Sequence, residues 1–315
     1  MKRYLAKWVE SYFYEPSIFQ KFLSFFLIPF TFIYCIIVIL KRFFCKKIDF
    51  KIPIISVGNL IVGGSGKTPL IIKLANRFDE VAIILRGYNR AKDGLLVVSQ
   101  NGKILVDVNS SGDEAMLIAK KTPKATVLVS KDRIKAIKKA KELNAKIVFL
   151  DDAFHRCNIK KFDILIDVET KNRFCLPSGP YREPFWFKRY ANLVVKEGVD
   201  FKREVKIKNP TKNMVLVSAI ARAKRLEKYV DKSIKKYFFE DHHRFTKKEI
   251  EEIIKKEKAT SILVTQKDEV KLSDFGFNLS IMELDLDIDK KIYEKIGKYI
   301  RKYNEKENSN SSDTP

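Results

Sequence analysis

Acidic residues, cysteine, glycine and proline are all in short supply in this chain, and each shortage excludes something. Of 315 residues only 39 are Asp or Glu against 62 Lys or Arg, a formal charge of +23. The 12 Gly and 10 Pro exclude collagen-like and low-complexity chains, and 45% hydrophobic residues predict a buried core rather than disorder. Cys35, Cys45, Cys157 and Cys175 form no CxxC pair, which argues against a disulfide framework or a zinc ribbon. Their scatter predicts free thiols in a reducing compartment.

The basic excess draws the chain to polyanions: nucleic acid, nucleotide phosphates or an anionic membrane surface. Much of it, as at Lys131, Arg133, Lys135, Lys138, Lys139 and Lys141, has the spacing of a solvated helix face. No RNP-like, zinc-finger or helix-turn-helix pattern is present, so nucleic acid is not expected as a partner.

One long hydrophobic run is present. Residues 22–40 carry no charge and are bracketed by Lys21 and by Lys41, Arg42, Lys46 and Lys47. The run has the length of a bilayer crossing. No small-residue cleavage site follows, unlike a signal peptide, and the basic residues downstream favour keeping the rest of the chain in the cytoplasm. Pro29, with Ser24, Thr31 and Tyr34, fits a helix lying in the interface as well as one that spans.

Beyond it, strand patterns at 52–57, 81–85, 125–130, 147–150 and 164–168 alternate with helical patterns at 113–121 and 131–143. That alternation predicts an α/β fold with a mostly parallel sheet and covered faces, which the glycine-rich loop described below makes P-loop NTPase-like. Asn101-Gly102, between apolar runs, predicts a hairpin beside it. The expected organisation is a membrane-associated helical segment over 1–48, a nucleotide-binding domain over 49–200 and a linker over 201–212. A smaller C-terminal α/β lobe over 213–303 and a disordered tail over 304–315 follow. Within that lobe Thr246-Lys247-Lys248-Glu249 reads as a capping box.

The most specific feature is IISVGNLIVGGSGKTPL at 54–70, an apolar strand, a small-residue turn and a helix start. Gly63, Gly64 and Gly66 let backbone amides approach phosphates, Lys67 supplies a point charge, and the Thr68 hydroxyl suits Mg²⁺. The loop residues Ile61, Val62, Gly63, Gly64, Ser65, Gly66, Lys67 and Thr68 are therefore assigned to ATP. Ile61 stands where the general pattern GxxxxGK[ST] has Gly. An apolar strand ending in Asp151-Asp152 is the expected companion and the candidate Mg²⁺ site together with Thr68; spacing does not choose between the two carboxylates.

Arg86-Gly87-Tyr88, Gly112-Asp113-Glu114, Asp151-Asp152-Ala153-Phe154-His155, Arg182-Glu183-Pro184, Asp241-His242-His243 and Thr265-Gln266-Lys267-Asp268 complete a set. With the loop, and in this order, they resemble the tetraacyldisaccharide 4′-kinases of lipid A biosynthesis. The resemblance runs from the N-terminal apolar segment to about Leu272; the family usually reads DDGFQH where this chain has DDAFHR. It implies transfer of the ATP γ-phosphate, with Mg²⁺, to the 4′-hydroxyl of an acylated disaccharide 1-phosphate at the cytoplasmic face of the inner membrane. It also implies that Asp113 and His242 form a dyad activating the sugar hydroxyl, with Arg182 and Glu183 in the active site beside Lys67. From the residues alone, Asp113 reads equally as a helix cap and Glu183 as a surface ion pair. A membrane-docked P-loop NTPase, or a kinase of another substrate, would share Lys67, Thr68 and Asp152 but has no use for the remaining motifs together.

Overall fold

A computed structural model describes residues 2–312 apart from 89, 91, 92 and 222. Along the chain run α1 (Lys2–Tyr14), α2 (Ile18–Phe26), α3 (Ile28–Phe43), β1 (Ile54–Gly58), α4 (Lys67–Ala75), β2 (Val81–Leu85), β3 (Leu96–Gln100) and β4 (Lys103–Ile104). Next come α5 (Val108–Ser111), α6 (Asp113–Lys121), β5 (Thr126–Val129), α7 (Arg133–Glu142), β6 (Ile147–Asp151), β7 (Phe162–Ile166) and β8 (Leu193–Val195). The chain finishes with β9 (Phe201–Lys208), β10 (Met214–Ser218), β11 (Lys235–Phe238), α8 (Lys247–Glu257), β12 (Ser261–Thr265), α9 (Gln266–Leu272), β13 (Leu279–Ile288) and α10 (Lys290–Ser312).

Two compact units are made, and they interleave in sequence. The first takes Met1–Lys67, Ile147–Phe201 and Ile288–Pro315; the second takes Thr68–Lys146 and Lys202–Asp287. This differs from the expected split at 201–212: the lysine-rich stretch is strand β9, whose side chains alternate between covered and exposed. Alternation of Val205 and Ile207 with charged residues is a strand pattern, which the high lysine content hid. The tail expected to be disordered continues α10 through Ser312, and 313–315 lie outside the described residues.

In the first unit β6, β1, β7 and β8 run parallel in that order, with every residue of β1 and β6 buried. Continuous apolar runs of this kind belong to strands covered on both faces. In the second unit β2 and β5 are parallel, β3 pairs antiparallel with β5, and β3 and β4 form the expected hairpin. Asn101 and Gly102 both have positive φ, +46° and +82°, as a tight two-residue hairpin turn requires. A further sheet in the order β11-β10-β12-β13-β9 has α8 nearby, opened by the Thr246/Glu249 capping box.

The N-terminal apolar run is not one helix. It breaks at Leu27, α2 and α3 making an angle of 57°, and among the described residues no single helix is long and apolar enough to cross a membrane. Pro29 supplies the cause, since it has no N–H for the Phe25 carbonyl and its ring crowds that group. The polar residues that interrupt the run face the protein. Ser24 Oγ donates to Ser178 O at 2.6 Å, Thr31 Oγ1 to Ser178 Oγ at 2.7 Å, and Tyr34 OH to Arg182 O at 2.7 Å. Phe19, Phe22, Phe26, Phe30, Phe32 and Ile37 are exposed on these helices. Cys45 and Cys157, expected as free thiols, are disulfide-bonded, because the fold brings positions 112 apart to a Cα separation of 6.0 Å; Cys35 and Cys175 are free.

Candidate active site

The phosphate loop leaves β1 at Gly58, where a Cβ would come within 2.7 Å of Phe154 Cβ. Gly63 and Gly66 take φ of +97° and +84°, the left-handed region in which glycine carries no steric cost. Ile61, the departure from the glycine pattern, is 2% exposed and packs in a cluster with Leu60, Phe154, Leu165, Tyr181 and Phe187. It anchors the loop rather than presenting a side chain to a nucleotide. Val62 N–H donates to Pro180 O at 2.9 Å, which ties the loop to the segment carrying Arg182 and Glu183. Lys67 opens α4, and its Nζ lies 3.3 Å from Asn59 Oδ1, 3.5 Å from Ser65 Oγ and 3.4 Å from Asp152 Oδ1. Thr68 follows in the first turn of that helix.

Asp151 ends β6, buried, and Asp152 follows with φ +50°. The Arg182 fork holds Asp152, Nη1 to Oδ2 at 2.7 Å and Nη2 to Oδ1 at 2.8 Å, while Nη2 also donates to Asn59 Oδ1 at 2.6 Å. Burial works to raise the Asp152 pKa, but the Arg182 hydrogen bonds and the Lys67 charge outweigh it and hold the carboxyl well below its usual range. Glu183 is not the surface pair read from sequence. It is 8% exposed, 3.4 Å from Arg42 Nη1, and burial pushes its carboxyl up against the pull of Arg42 and Arg182. Arg42 itself is stacked among Phe154, Phe187 and Tyr190, at 4.7, 5.2 and 4.7 Å from their ring centres. Asp151 and Asp152, adjacent in the first unit, are oxygen donors of the kind that suit a hard cation such as Mg²⁺, which takes one or two carboxylates and completes its shell with phosphates and water. Among the described residues no group of three or more His, Cys, Asp or Glu is placed to hold a metal ion by itself.

The second unit holds the other predicted pair, and holds both of its members. Asp113 is the first residue of α6, with Gly112 as the N-cap, so it is not the cap. Its Oδ1 accepts the Glu114 N–H at 3.1 Å, and its two oxygens lie 2.9 and 3.0 Å from His242 Nδ1. Burial would raise Asp113, yet the hydrogen bond from His242 and the charges of Lys267 and Lys271 bring it down to about 2. An ionised carboxylate only accepts, so Nδ1 carries the proton. Burial lowers the His242 pKa while the Asp113 hydrogen bond raises it, and the net direction is up. His243 faces elsewhere, stacked on Phe239 and paired with Glu249 at 3.3 Å.

Lys67, Asp152, Arg182 and Glu183 are thus gathered in one unit, and Asp113 with His242 in the other. Three participants were given no role from sequence: Asn59, which receives both Lys67 and Arg182; Arg42, inside the apolar run's basic border; and Lys267, whose motif was visible but whose contacts were not.

The sequence profile of the family described as Tetraacyldisaccharide-1-P 4′-kinase matches residues 23–215 and 199–301. Curated relatives named tetraacyldisaccharide 4′-kinase include one from Aliarcobacter butzleri, 52% identical over 93% of this chain and 96% of its own length. Others come from Helicobacter pylori, 49% identical over 91% and 93%, and Campylobacter jejuni, 47% identical over 91% and 94%. A crystal structure of LpxK from Aquifex aeolicus in complex with ATP superposes with a TM-score of 0.72 at 27% identity, covering 89% of this chain and 99% of that one. Matches this extensive in sequence and fold, over a chain that keeps the loop, the carboxylates and the paired Asp and His, place it in a family: the chain belongs to the tetraacyldisaccharide-1-P 4′-kinases.

Proposed function

We propose that this chain uses ATP to phosphorylate the 4′-hydroxyl of a tetraacyldisaccharide 1-phosphate in lipid A biosynthesis, working at the cytoplasmic face of the inner membrane. The observation that carries the reading is the contact of Asp113 with His242, residues 129 positions apart, in a chain that also carries the phosphate loop. Amides of the glycine turn at residues 63–66 and the ammonium of Lys67 bind the triphosphate. Asp151 and Asp152 would hold Mg²⁺, which would neutralise phosphate charge when bound. A sugar hydroxyl is too weak an acid to ionise beforehand, so its proton leaves as the oxygen bonds to phosphorus. With Nδ1–H given to Asp113, Nε2 of His242 is the atom available to take that proton. Incubation with γ-³²P-ATP and tetraacylated disaccharide 1-phosphate in detergent micelles tests the reading, and folded, ATP-binding protein that labels no lipid would refute it.

The exposed aromatic face of α2 and α3 supports docking on a bilayer, with the chain's positive charge drawn to anionic headgroups. The bend at Leu27 favours a helix pair lying in the interface. Flotation with vesicles of neutral or anionic lipid tests this, and equal, absent binding to both would refute it.

A further inference from the structure

The Thr265-Gln266-Lys267-Asp268 stretch stands beside the Asp113–His242 pair without a role so far. Helix α9 begins at its second residue, with Thr265 as N-cap. It packs on α6, Val270 against Met116 and Leu117, and turns Lys267 and Lys271, one turn apart, toward Asp113. Lys267 Nζ lies 3.4 Å from His242 Nε2, 3.2 Å from Asp241 Oδ1, 3.4 Å from Glu114 Oε1 and 3.8 Å from Asp113 Oδ2. Lys271 Nζ is 3.8 Å from Asp113 Oδ2 and 2.8 Å from Asp268 Oδ1. Asp241 Oδ2 also approaches His242 Nε2, at 3.6 Å. These are the charged groups facing the imidazole from α6, α9 and its own loop.

Asp268 is wholly buried and fixes the backbone beneath. It accepts from Ser218 Oγ and Thr265 Oγ1, each at 2.8 Å, and from the Ala219 N–H at 3.2 Å. The Ala219 carbonyl in turn accepts the His242 N–H at 3.1 Å, holding His242 at φ +63°, a left-handed conformation that a histidine keeps only when its surroundings enforce it.

An ammonium has donors and no acceptor, so its contact with Nε2 is a hydrogen bond only when Nε2 bears a lone pair. Asp113 takes the Nδ1 proton, which leaves one protonation state compatible with both contacts. We propose that Lys267 is a positioning residue for the transfer: it donates to Nε2 and holds His242 as the neutral Nδ1–H tautomer, ready to accept, until the acceptor hydroxyl takes its place. Glu114 and Asp241 hold the displaced ammonium. The hydroxyl proton then passes to Nε2 as its oxygen bonds to the γ-phosphorus and the bond to the β,γ-bridging oxygen breaks, with ADP leaving. Asp113 faces the resulting imidazolium. The inference rests on the reading of Asp113 and His242 as the pair that activates the hydroxyl.

Lys267 opposes the upward pull of Asp113 on the imidazole. Its removal leaves more imidazolium at neutral pH. Isotope-labelled histidine in the full chain in micelles reports this directly by NMR, because only three histidines are present and His242→Gln identifies the signal. In the wild type, at a pH above the His242 midpoint, the Nε2 resonance should be that of an unprotonated ring nitrogen. In Lys267→Met the midpoint should rise by about one unit or more, and the acidic limb of kcat should rise with it, activity recovering at higher pH while KM for ATP is unchanged. Lys267→Arg should retain the wild-type profile. A wild-type His242 with a bare Nδ1 would overturn the proposal even if Lys267→Met fails to fold. So would an unshifted midpoint in a folded Lys267→Met, or a loss of kcat equal at every pH. Full turnover by His242→Gln would instead sink the underlying dyad reading, an outcome the NMR midpoints do not depend on.

Discussion

Asp113→Asn keeps the size of the side chain and removes the charge that holds His242 Nδ1 at 2.9 Å. The Glu114 N–H can still reach the Asn oxygen, so the start of α6 is preserved and the loss falls on the imidazole. A buried charge-assisted hydrogen bond of this kind is worth about 1.5–3 kcal/mol. Without it Nδ1 faces either a neutral amide oxygen shared with the Glu114 N–H or the Asn NH₂, and the reactive lone pair at Nε2 is no longer guaranteed. We expect kcat to fall by roughly 10² or more, about 2.7 kcal/mol in the barrier, with ATP binding retained. His242→Gln should cost a similar factor. Since both side chains act on one proton, the double variant should be no slower than the slower single variant, within a few fold. Initial rates of ³²P transfer at saturating ATP and lipid measure all four corners of the cycle. Losses that multiply would refute a shared proton, and wild-type turnover by Asp113→Asn would return that carboxylate to a structural role.

Arg42→Ala leaves Glu183 buried without its ion-pair partner and empties the space among Phe154, Phe187 and Tyr190; unfolding in denaturant should show a loss of about 2 kcal/mol, with Arg42→Lys in between. Asp113 is depressed from 3.8 to about 2 on folding, so its contribution, about 2 kcal/mol, is complete above pH 4 and is lost as pH falls toward 2. Melting curves should therefore show the stability gap between wild type and Asp113→Asn closing as pH falls from about 4 toward 2, and a constant gap would contradict the assignment. Phe19, Phe22 and Phe26 are 70%, 62% and 60% exposed, so replacing all three by Ser should leave the melting temperature unchanged. Vesicle flotation should weaken about tenfold or more, because each aromatic is worth about 1.5–3 kcal/mol when buried in lipid.

The parallel strands and the phosphate loop were legible because local pattern decides them: β2 forms over the span its apolar run predicts, and Lys67 opens α4 where the glycine turn ends. The Asp113–His242 contact came from the set of motifs, since neither residue's neighbourhood announces a partner 129 positions away. What the sequence hid is tertiary. The nineteen-residue apolar run concealed a break, because hydropathy counts side chains while the break comes from the missing N–H of Pro29. The serine, threonine and tyrosine that seemed to weaken that run are the ones that fasten it to the loop before Arg182 and to Arg182 itself. Strand β9 was masked by its own lysines, and Cys45 with Cys157 by their separation. Lys267 stood in a recognisable motif, yet its meaning lies in four contacts with residues from other parts of the chain.

The central claim is that this chain places one phosphate on the 4′-hydroxyl of an acylated disaccharide that already carries a 1-phosphate, with Asp113 and His242 handling the proton. Mass and ³¹P NMR analysis of the lipid after incubation with ATP, alongside ADP release, tests it most directly. A single added phosphate at the 4′ position and one ADP per lipid are expected, with almost no product from Asp113→Asn over the same time. ATP consumed without lipid phosphorylation, a phosphate at another position, or full product from Asp113→Asn would contradict it.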